Sequence, residues 1–180
     1  MGNKFTVFLD LDGVIRDWDK GVSKLFGIEP LEGPRDWYLI QDHICREKGF
    51  SVDEFWDRQD FDFWANLPLT PEADQVLELL EGADPIIMTS PSKTGAGGTQ
   101  AWIWKHLPKI FHEGRYLIGP PKWACANPKS VLIDDHDGNI DKFRWAGGNG
   151  ILFPRPWNSK RMMKNPVSEL YCKLQMIGIL

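Results

Sequence analysis

The stretch KFTVFLDLDGVIR, from Lys4 to Arg16, decides the fold of this 180-residue chain. Phe5 to Leu9 form an apolar run, and two carboxylates follow it at a spacing of two, Asp10 and Asp12. A run that is apolar on both faces is typical of a central parallel strand with helices on each side. Ligand and catalytic sites lie at the carboxyl ends of such strands. The competing interpretation is an Asp-Gly turn that ends an ordinary strand, because Gly13 follows Asp12.

Four further apolar runs predict the other strands of the sheet. They are Pro85–Met88, Tyr116–Ile118, Val131–Ile133 and Gly150–Phe153. Helical patterns separate these runs, and strands that alternate with helices indicate an α/β protein with a parallel sheet. The sequence thus predicts a Rossmann-like parallel sheet of about five strands flanked by helices. Thr70 is expected to cap a helix, because Pro71 and Glu72 after it are typical of a first helical turn.

Residues 16–68 separate the first strand from this regular pattern, and we expect them to form a small helical cap over its end. The predicted domains are an α/β core of residues 1–15 and 69–180 and a cap of residues 16–68. The tryptophans of the cap are Trp18, Trp37, Trp56 and Trp64. Flat indole faces suit the stacking of a ring-shaped ligand, although at least half of these aromatics are expected to form the core of the cap itself.

Composition limits the classes of partner. The net charge is −4 and no dense Lys/Arg stripe is present, which argues against a stable complex with nucleic acid but leaves a small phosphorylated ligand possible. The three cysteines show no pattern of a disulfide framework or zinc site and indicate a cytoplasmic protein. No membrane-spanning run is visible, and a homodimer is possible. The basic residues of the tail are expected to be solvated: Arg155, Lys160, Arg161 and Lys164.

A second pair of carboxylates, Asp134 and Asp135, directly follows the fourth predicted strand. Two acidic pairs at the ends of parallel strands would meet at one edge of the sheet and repel each other without a cation. A small set of oxygen ligands favours Mg²⁺. The sequence therefore predicts a magnesium site between the two pairs.

Hydroxyl side chains follow the second predicted strand, and a lysine follows the third. Thr89 and Ser90, with the N–H groups of their turn, could hold an anion, although Ser and Thr are also common in plain capping turns. Lys122 ends the loop Gly-Pro-Pro-Lys after the third strand.

Taken together, these motifs resemble the haloacid dehalogenase superfamily of phosphatases. The order is DLDGV (Asp10–Val14), a strand that ends in Thr89 and Ser90, a loop lysine and LIDD (Leu132–Asp135). Within that superfamily the chain looks most like the 5′(3′)-deoxyribonucleotidases. Trp18 lies eight residues after the first aspartate, as the aromatic residue does in that group, and the TSP triplet and the helical insertion also fit it.

The resemblance implies a role for each motif. Asp10 would be the nucleophile and Asp12 the general acid and base. Mg²⁺ would be held by Asp10, the backbone carbonyl of Asp12 and the pair Asp134/Asp135. Thr89, Ser90 and Gly13 would contact the phosphate, and Trp18 and Trp64 the base. Lys122 is preferred over Lys129 as the phosphate-binding lysine, because Lys129 directly precedes the fourth strand and thus lies at the opposite edge of the sheet.

Three hypotheses about function stay open at this point. The first is a Mg²⁺-dependent phosphomonoesterase that acts on nucleoside monophosphates. The second is the same chemistry on another substrate, a sugar phosphate or the 3′-phosphate end of a nucleic acid. The third is a phosphate-binding or interaction module without activity, which the complete set of motifs makes the weakest of the three.

Overall fold

The computed structural model describes residues 5–29 and 39–180 and confirms the predicted sheet. The strands are β1 (Thr6–Leu9), β2 (Ile86–Thr89), β3 (Tyr116–Ile118), β4 (Ser130–Asp134) and β5 (Asn149–Leu152). Their order is β3-β2-β1-β4-β5, and every neighbouring pair is parallel. The strand order reverses between β1 and β4, which is where open α/β sheets place their ligands.

Helices lie in the predicted cap segment, just before β2, between later strands and after β5. In chain order they are α1 (Trp18–Phe26), α2 (Leu39–Lys48), α3 (Val52–Asp57), α4 (Phe61–Ala65), α5 (Ala73–Leu80), α6 (Ala96–His106), α7 (Pro108–His112), α8 (Asp137–Trp145) and α9 (Pro166–Ile177). Short 3-10 turns lie at Glu81–Ala83 and Lys122–Cys125. Among the described residues, no helix is both long and apolar enough to cross a membrane.

Both faces of the central strand β1 are buried, as its apolar run predicts. On β1, Val7 and Leu9 pack into the larger apolar cluster, whereas Phe8 between them packs into a smaller cluster on the opposite face. Successive side chains of a strand point to opposite faces, so a strand between two helical layers has to be apolar throughout. The polar residues at the ends of the strands are thereby confined to the edge of the sheet.

The segment predicted to be the cap is packed closely against the rest of the chain. A side chain at Gly98 on α6 would overlap the backbone of α4, so this glycine allows the two helices to touch. The indole N–H of Trp102 on α6 donates to the carbonyl of Leu67 at 2.7 Å. One apolar cluster contains Phe26 and Phe55 of the cap together with the sheet residues. The division into two domains stays a prediction, and Trp37 lies outside the described residues.

The prediction that Thr70 caps a helix is wrong. Helix α5 starts later, its N-cap residue is Glu72, and no side chain caps it. The Thr70 hydroxyl instead donates to the carbonyl of Val14 at 2.8 Å. Pro71 and Glu72 also precede the first helical residue, Ala73, and the Thr70 hydroxyl has a tertiary partner in the loop that follows β1.

Candidate active site

The carboxyl ends of β1, β2 and β4 meet at one cavity of about 390 Å³. Asp10 directly follows β1 and Thr89 ends β2, and both line the cavity. Asp134, which ends β4, is fully buried and is not among the lining residues. The other residues lining it come from the loop after β2, the start of α8 and the cap, with Lys122 from the turn after β3: Asp12, Trp18, Asp53, Trp56, Asp57, Trp64, Ser90–Thr94, Lys122, Asp135, His136 and Asn139. The predicted strand-end residues are thus brought together at one edge of the sheet.

Lys122 lies between two of the predicted carboxylates. Its Nζ is 2.8 Å from Asp10 Oδ1 and 2.6 Å from Asp134 Oδ2, and the side chain is buried. Burial lowers the pKa of Lys122, but the carboxylates of Asp10 and Asp134 outweigh burial and raise it above its ordinary value. Lys122 is therefore held as a cation at the site. The competing Lys129 is exposed and precedes β4, where its carbonyl accepts from Thr6 N–H at the other end of the sheet.

A group of three buried carboxylates fits a divalent cation. Oxygens of Asp10, Asp134 and Asp135 lie within 4.8 Å of one another. Three carboxylates beside the one ammonium of Lys122 leave an excess of two negative charges, which a divalent cation would balance. Burial raises the pKa of Asp10 to about 7, although Lys122 opposes this shift. Burial also raises the pKa of Asp135, and the charges of Asp134 and Asp10 add to the increase.

Asp12 is not part of this group of carboxylates. Its two side-chain oxygens bind the guanidinium of Arg16, at 2.7 Å from Nε and 2.7 Å from Nη2. The Asp12 side chain is 18% exposed and lines the cavity. The carboxylate therefore faces the same space as Asp10, but it is held by a partner of its own.

Donors from outside the predicted motifs hold Asp134 and Asp135 in place. The indole N–H of Trp157 donates to Asp135 Oδ2 at 2.7 Å, and Asn139 Nδ2 lies 3.1 Å from Asp134 Oδ2. Asn158 Nδ2 donates to the Asp135 carbonyl at 2.8 Å. Sequence analysis missed all three residues, because no local pattern links the loop after β5 or the first turn of α8 to the end of β4.

The loop after Asp12 is built around Gly13. Gly13 has a φ of +73°, and a side chain there would overlap the Asp135 carboxylate, so only glycine fits without displacing that group. The Gly13 N–H already donates to the Arg16 carbonyl at 2.9 Å. Phosphate binding by Gly13 stays a prediction, and the hydrogen bond to Arg16 does not favour it because it already occupies the Gly13 N–H.

Arg155 holds the same loop from the other side, so the prediction that it is solvated is wrong. Its guanidinium donates to the carbonyls of Gly13 and Val14 and forms an ion pair with Glu72 at 3.1 Å. Of the other tail residues, Lys160 also has a partner, Glu169, with 2.5 Å between Nζ and Oε1. Arg161 and Lys164 are exposed, as predicted for all four.

The hydroxyls after β2 differ in environment. Thr89 Oγ1 is buried and makes no hydrogen bond to any described residue, although it borders the cavity. A buried polar atom without a partner is costly, so this hydroxyl is suited to a ligand oxygen. Ser90 is exposed, and its Oγ lies 3.3 Å from the Pro120 carbonyl.

The two predicted base contacts, Trp18 and Trp64, line the cavity but are almost fully buried, with exposed fractions of 7% and 2%. The Trp18 indole N–H donates to Gln59 Oε1 at 2.8 Å, and its ring stacks on Trp56 with 5.7 Å between ring centroids. Trp56 also lines the cavity and is more exposed. Base stacking on Trp18 and Trp64 stays a prediction, and Trp56 is an additional candidate.

Comparison with known proteins supports this arrangement at the level of the fold. No family model matches the sequence, and no curated protein matches it. Solved structures do match. A predicted phosphatase from Clostridium acetobutylicum shares 15% identity and a TM-score of 0.60 over 96% of this chain and 99% of that one. The chain shares its fold with this structure and with hydrolases described as haloacid dehalogenase (HAD) proteins.

Two of these HAD hydrolases are similar over nearly their whole length. A haloacid dehalogenase-like hydrolase from Streptococcus pneumoniae has 15% identity and a TM-score of 0.59, over 96% of this chain and 100% of that one. The HAD-hydrolase YfnB from Bacillus subtilis, bound to magnesium, has 15% identity and a TM-score of 0.58, over 95% and 98%. Dehalogenases are also among the similar structures. The HAD fold alone therefore does not select the reaction.

Proposed function

We propose that the protein is a Mg²⁺-dependent phosphomonoesterase that hydrolyses (deoxy)ribonucleoside monophosphates through an aspartyl-phosphate, as 5′(3′)-deoxyribonucleotidases do. The observation that carries this proposal is the position of Asp10. It lies at the floor of the cavity, beside Lys122 and within a group of three buried carboxylates. A nucleophile, a fixed cation and a site for a divalent ion are what phosphoryl transfer requires in one place.

The two oxygens of Asp10 are not equivalent. Oδ1 accepts from the Leu11 N–H at 2.8 Å and pairs with Lys122, whereas Oδ2 has no hydrogen bond to a described residue. Oδ2 is therefore the oxygen that attacks phosphorus. Lys122 would neutralise charge on the phosphorylated aspartate, and Thr89 Oγ1 would donate to a phosphoryl oxygen. Mg²⁺ held by Asp10, Asp134 and Asp135 would offset the charge of the phosphoryl group.

Asp12 moves the protons in both half-reactions. As Asp10 Oδ2 bonds to phosphorus, the bond from phosphorus to the sugar oxygen breaks, and Asp12 gives that oxygen its proton. Asp12 then accepts a proton from water, whose oxygen attacks phosphorus while the bond to Asp10 breaks. Inorganic phosphate leaves, and both aspartates return to their starting states.

The walls of the cavity favour a monophosphate that carries a ring. Trp56, Trp18 and Trp64 line the cavity with aromatic surface, and a stacked base contributes about 1–3 kcal/mol to binding. Three exposed charged residues line the cavity, Asp53, Asp57 and Lys93, and their net charge is negative. This charge disfavours polyphosphates and nucleic-acid ends. The free cysteines support a cytoplasmic location.

Release of phosphate, or of halide from a haloacid, from a panel of substrates tests the proposal. The panel holds ribo- and deoxyribonucleoside monophosphates, sugar phosphates, a 3′-phosphorylated oligonucleotide and a 2-haloacid, each with Mg²⁺ and with EDTA. We expect Mg²⁺-dependent release that is strongest from nucleotides and is absent in Asp10→Asn, whose amide is of nearly equal size. Release confined to a sugar phosphate or an oligonucleotide would keep the chemistry and change the substrate. Halide release alone, or no turnover, would overturn the proposal.

A further inference from the structure

Arg16 is a fully buried arginine next to the candidate active site, and its guanidinium binds Asp12. Its exposed fraction is 0%, and it is not among the residues that line the cavity. A buried guanidinium needs hydrogen-bonding and charged partners to offset the loss of water. The identity of these partners indicates what the residue does.

The guanidinium is held on three sides. Its Nε and Nη2 form a two-point contact with the Asp12 carboxylate, both at 2.7 Å, and Nη1 donates to Thr99 Oγ1 at 3.0 Å. The Trp64 and Trp102 rings lie against it, with 5.2 and 5.5 Å between the guanidinium carbon and the ring centroids. Arginine alone among the side chains offers such a planar fork together with flat faces for aromatic contact.

The backbone fixes Arg16 as firmly as the side-chain contacts do. Its N–H donates to the Leu11 carbonyl at 2.8 Å, and its carbonyl accepts from the Gly13 N–H at 2.9 Å. Arg16 thus closes the short loop that begins at Asp12, and a two-point contact to both carboxylate oxygens prevents the Asp12 carboxyl from turning about its last bond. Each oxygen keeps one further lone pair, so the fork also sets the directions in which Asp12 can give or take a proton.

We propose that Arg16 is the positioning residue for proton transfer by Asp12. It acts through Asp12 and does not touch the substrate. This role rests on the proposed function, in which the Asp12 proton passes to the leaving oxygen as the bond from phosphorus to that oxygen breaks. Thr99, Trp64 and Trp102 hold the guanidinium in the orientation that this transfer needs.

A pair of substrates with different leaving groups tests the role. p-Nitrophenyl phosphate releases a stable phenolate that needs little protonation, whereas benzyl phosphate has a ring of similar size but releases an alkoxide. A general acid contributes on the order of 10²–10⁴ to the rate where it is needed. In Arg16→Lys, which keeps the charge and loses the fork, we expect kcat/KM, which reports the steps up to release of the leaving group, to fall about 100-fold on benzyl phosphate and only about 3-fold on p-nitrophenyl phosphate.

Asp12→Asn should likewise lose more activity on benzyl phosphate than on p-nitrophenyl phosphate. The double variant Asp12→Asn/Arg16→Lys should lose little more activity than Asp12→Asn alone. Arg144→Lys, at an exposed arginine, is the matched control and should resemble the wild type on both esters. If Arg16→Lys does not fold, as circular dichroism would show, Thr99→Val removes one anchor of the guanidinium and should give the same selective loss at smaller size.

Equal losses of kcat/KM on both esters, or a gain on benzyl phosphate, would overturn the role of Arg16 while leaving the phosphatase intact. Absence of wild-type turnover on both esters would overturn the proposed function itself, and the role of Arg16 with it.

Discussion

Replacement of Trp157 by Phe should weaken the binding of Mg²⁺ without disturbing the fold. The indole N–H of Trp157 is 2.7 Å from Asp135 Oδ2, in a group of carboxylates whose oxygens lie within 4.8 Å of one another. Phenylalanine keeps an aromatic ring at the position and removes the donor. Asp135 then loses the side-chain contact that orients its carboxylate, while Asn158 still holds its carbonyl.

The size of the effect follows from the type of contact. A hydrogen bond to a charged group contributes about 1.5–3 kcal/mol, and every 1.4 kcal/mol changes an equilibrium constant about tenfold. The affinity for Mg²⁺ should therefore fall between about 10-fold and 100-fold, the range typical of residues that orient metal ligands.

Titration of Mg²⁺ against the melting temperature measures this affinity without reference to turnover, and the Mg²⁺ dependence of phosphate release provides a second measurement. Trp145→Phe is the matched control, because Trp145 is 90% exposed and should leave the midpoint of the titration unchanged. Equal midpoints in Trp157→Phe and the wild type, with a shifted midpoint in Asp135→Asn, would refute the orienting role. A wild-type melting temperature that does not respond to Mg²⁺ would refute the metal site.

Thr89, Gly13 and Asp10 carry further predictions. Thr89→Val removes a buried hydroxyl without a partner, so the free energy of unfolding should rise by about 1 kcal/mol, and inhibition by inorganic phosphate should weaken about tenfold. Urea denaturation measures the first effect and inhibition assays measure the second. A variant less stable than the wild type would contradict the reasoning. In Gly13→Ala, the new methyl group would overlap the Asp135 carboxylate, and the φ of +73° is unfavourable for alanine. We expect kcat to fall by about 100-fold or more. Gly82→Ala should show no such loss, because a side chain there meets nothing within 4 Å. The pKa of Asp10 rises from 3.8 to about 7 on folding, so the folded protein without metal keeps a proton that the unfolded chain releases. Its free energy of unfolding should fall as the pH rises through that interval and level off above it. Asp10→Asn should lack this part of the slope in urea denaturation with EDTA, and identical slopes would show that Asp10 is not the titrating group.

Local patterns in the sequence were sufficient for the sheet and for the residues at the ends of its strands. Asp10, Thr89, Asp134 and Asp135 each adjoin or end an apolar run, and parallel strands bring such positions to one edge. Lys122 was preferred over Lys129 for the same reason, since only Lys122 lies beyond the end of a strand.

The residues that orient this site could not be read from local patterns. Trp157 and Asp135 are 22 positions apart, and Arg155 donates to the carbonyl of Gly13 across 142 positions. Contacts of this kind depend on where the loop after β5 returns over the sheet, and no periodicity specifies that path. The same holds for Thr70, whose hydroxyl reaches a carbonyl 56 positions away.

The position of Arg16 links the packing of the cap to the chemistry at Asp12. Trp64 on α4 lines the cavity with part of its ring and also contacts the Arg16 guanidinium, which in turn fixes Asp12. α4 is held on α6 by the close approach at Gly98, and α6 supplies Thr99 and Trp102 to the same guanidinium. A ligand that shifts Trp64 would therefore also disturb the support of Asp12. Within the proposed function, binding of the base and protonation of the leaving oxygen are coupled through a single buried side chain.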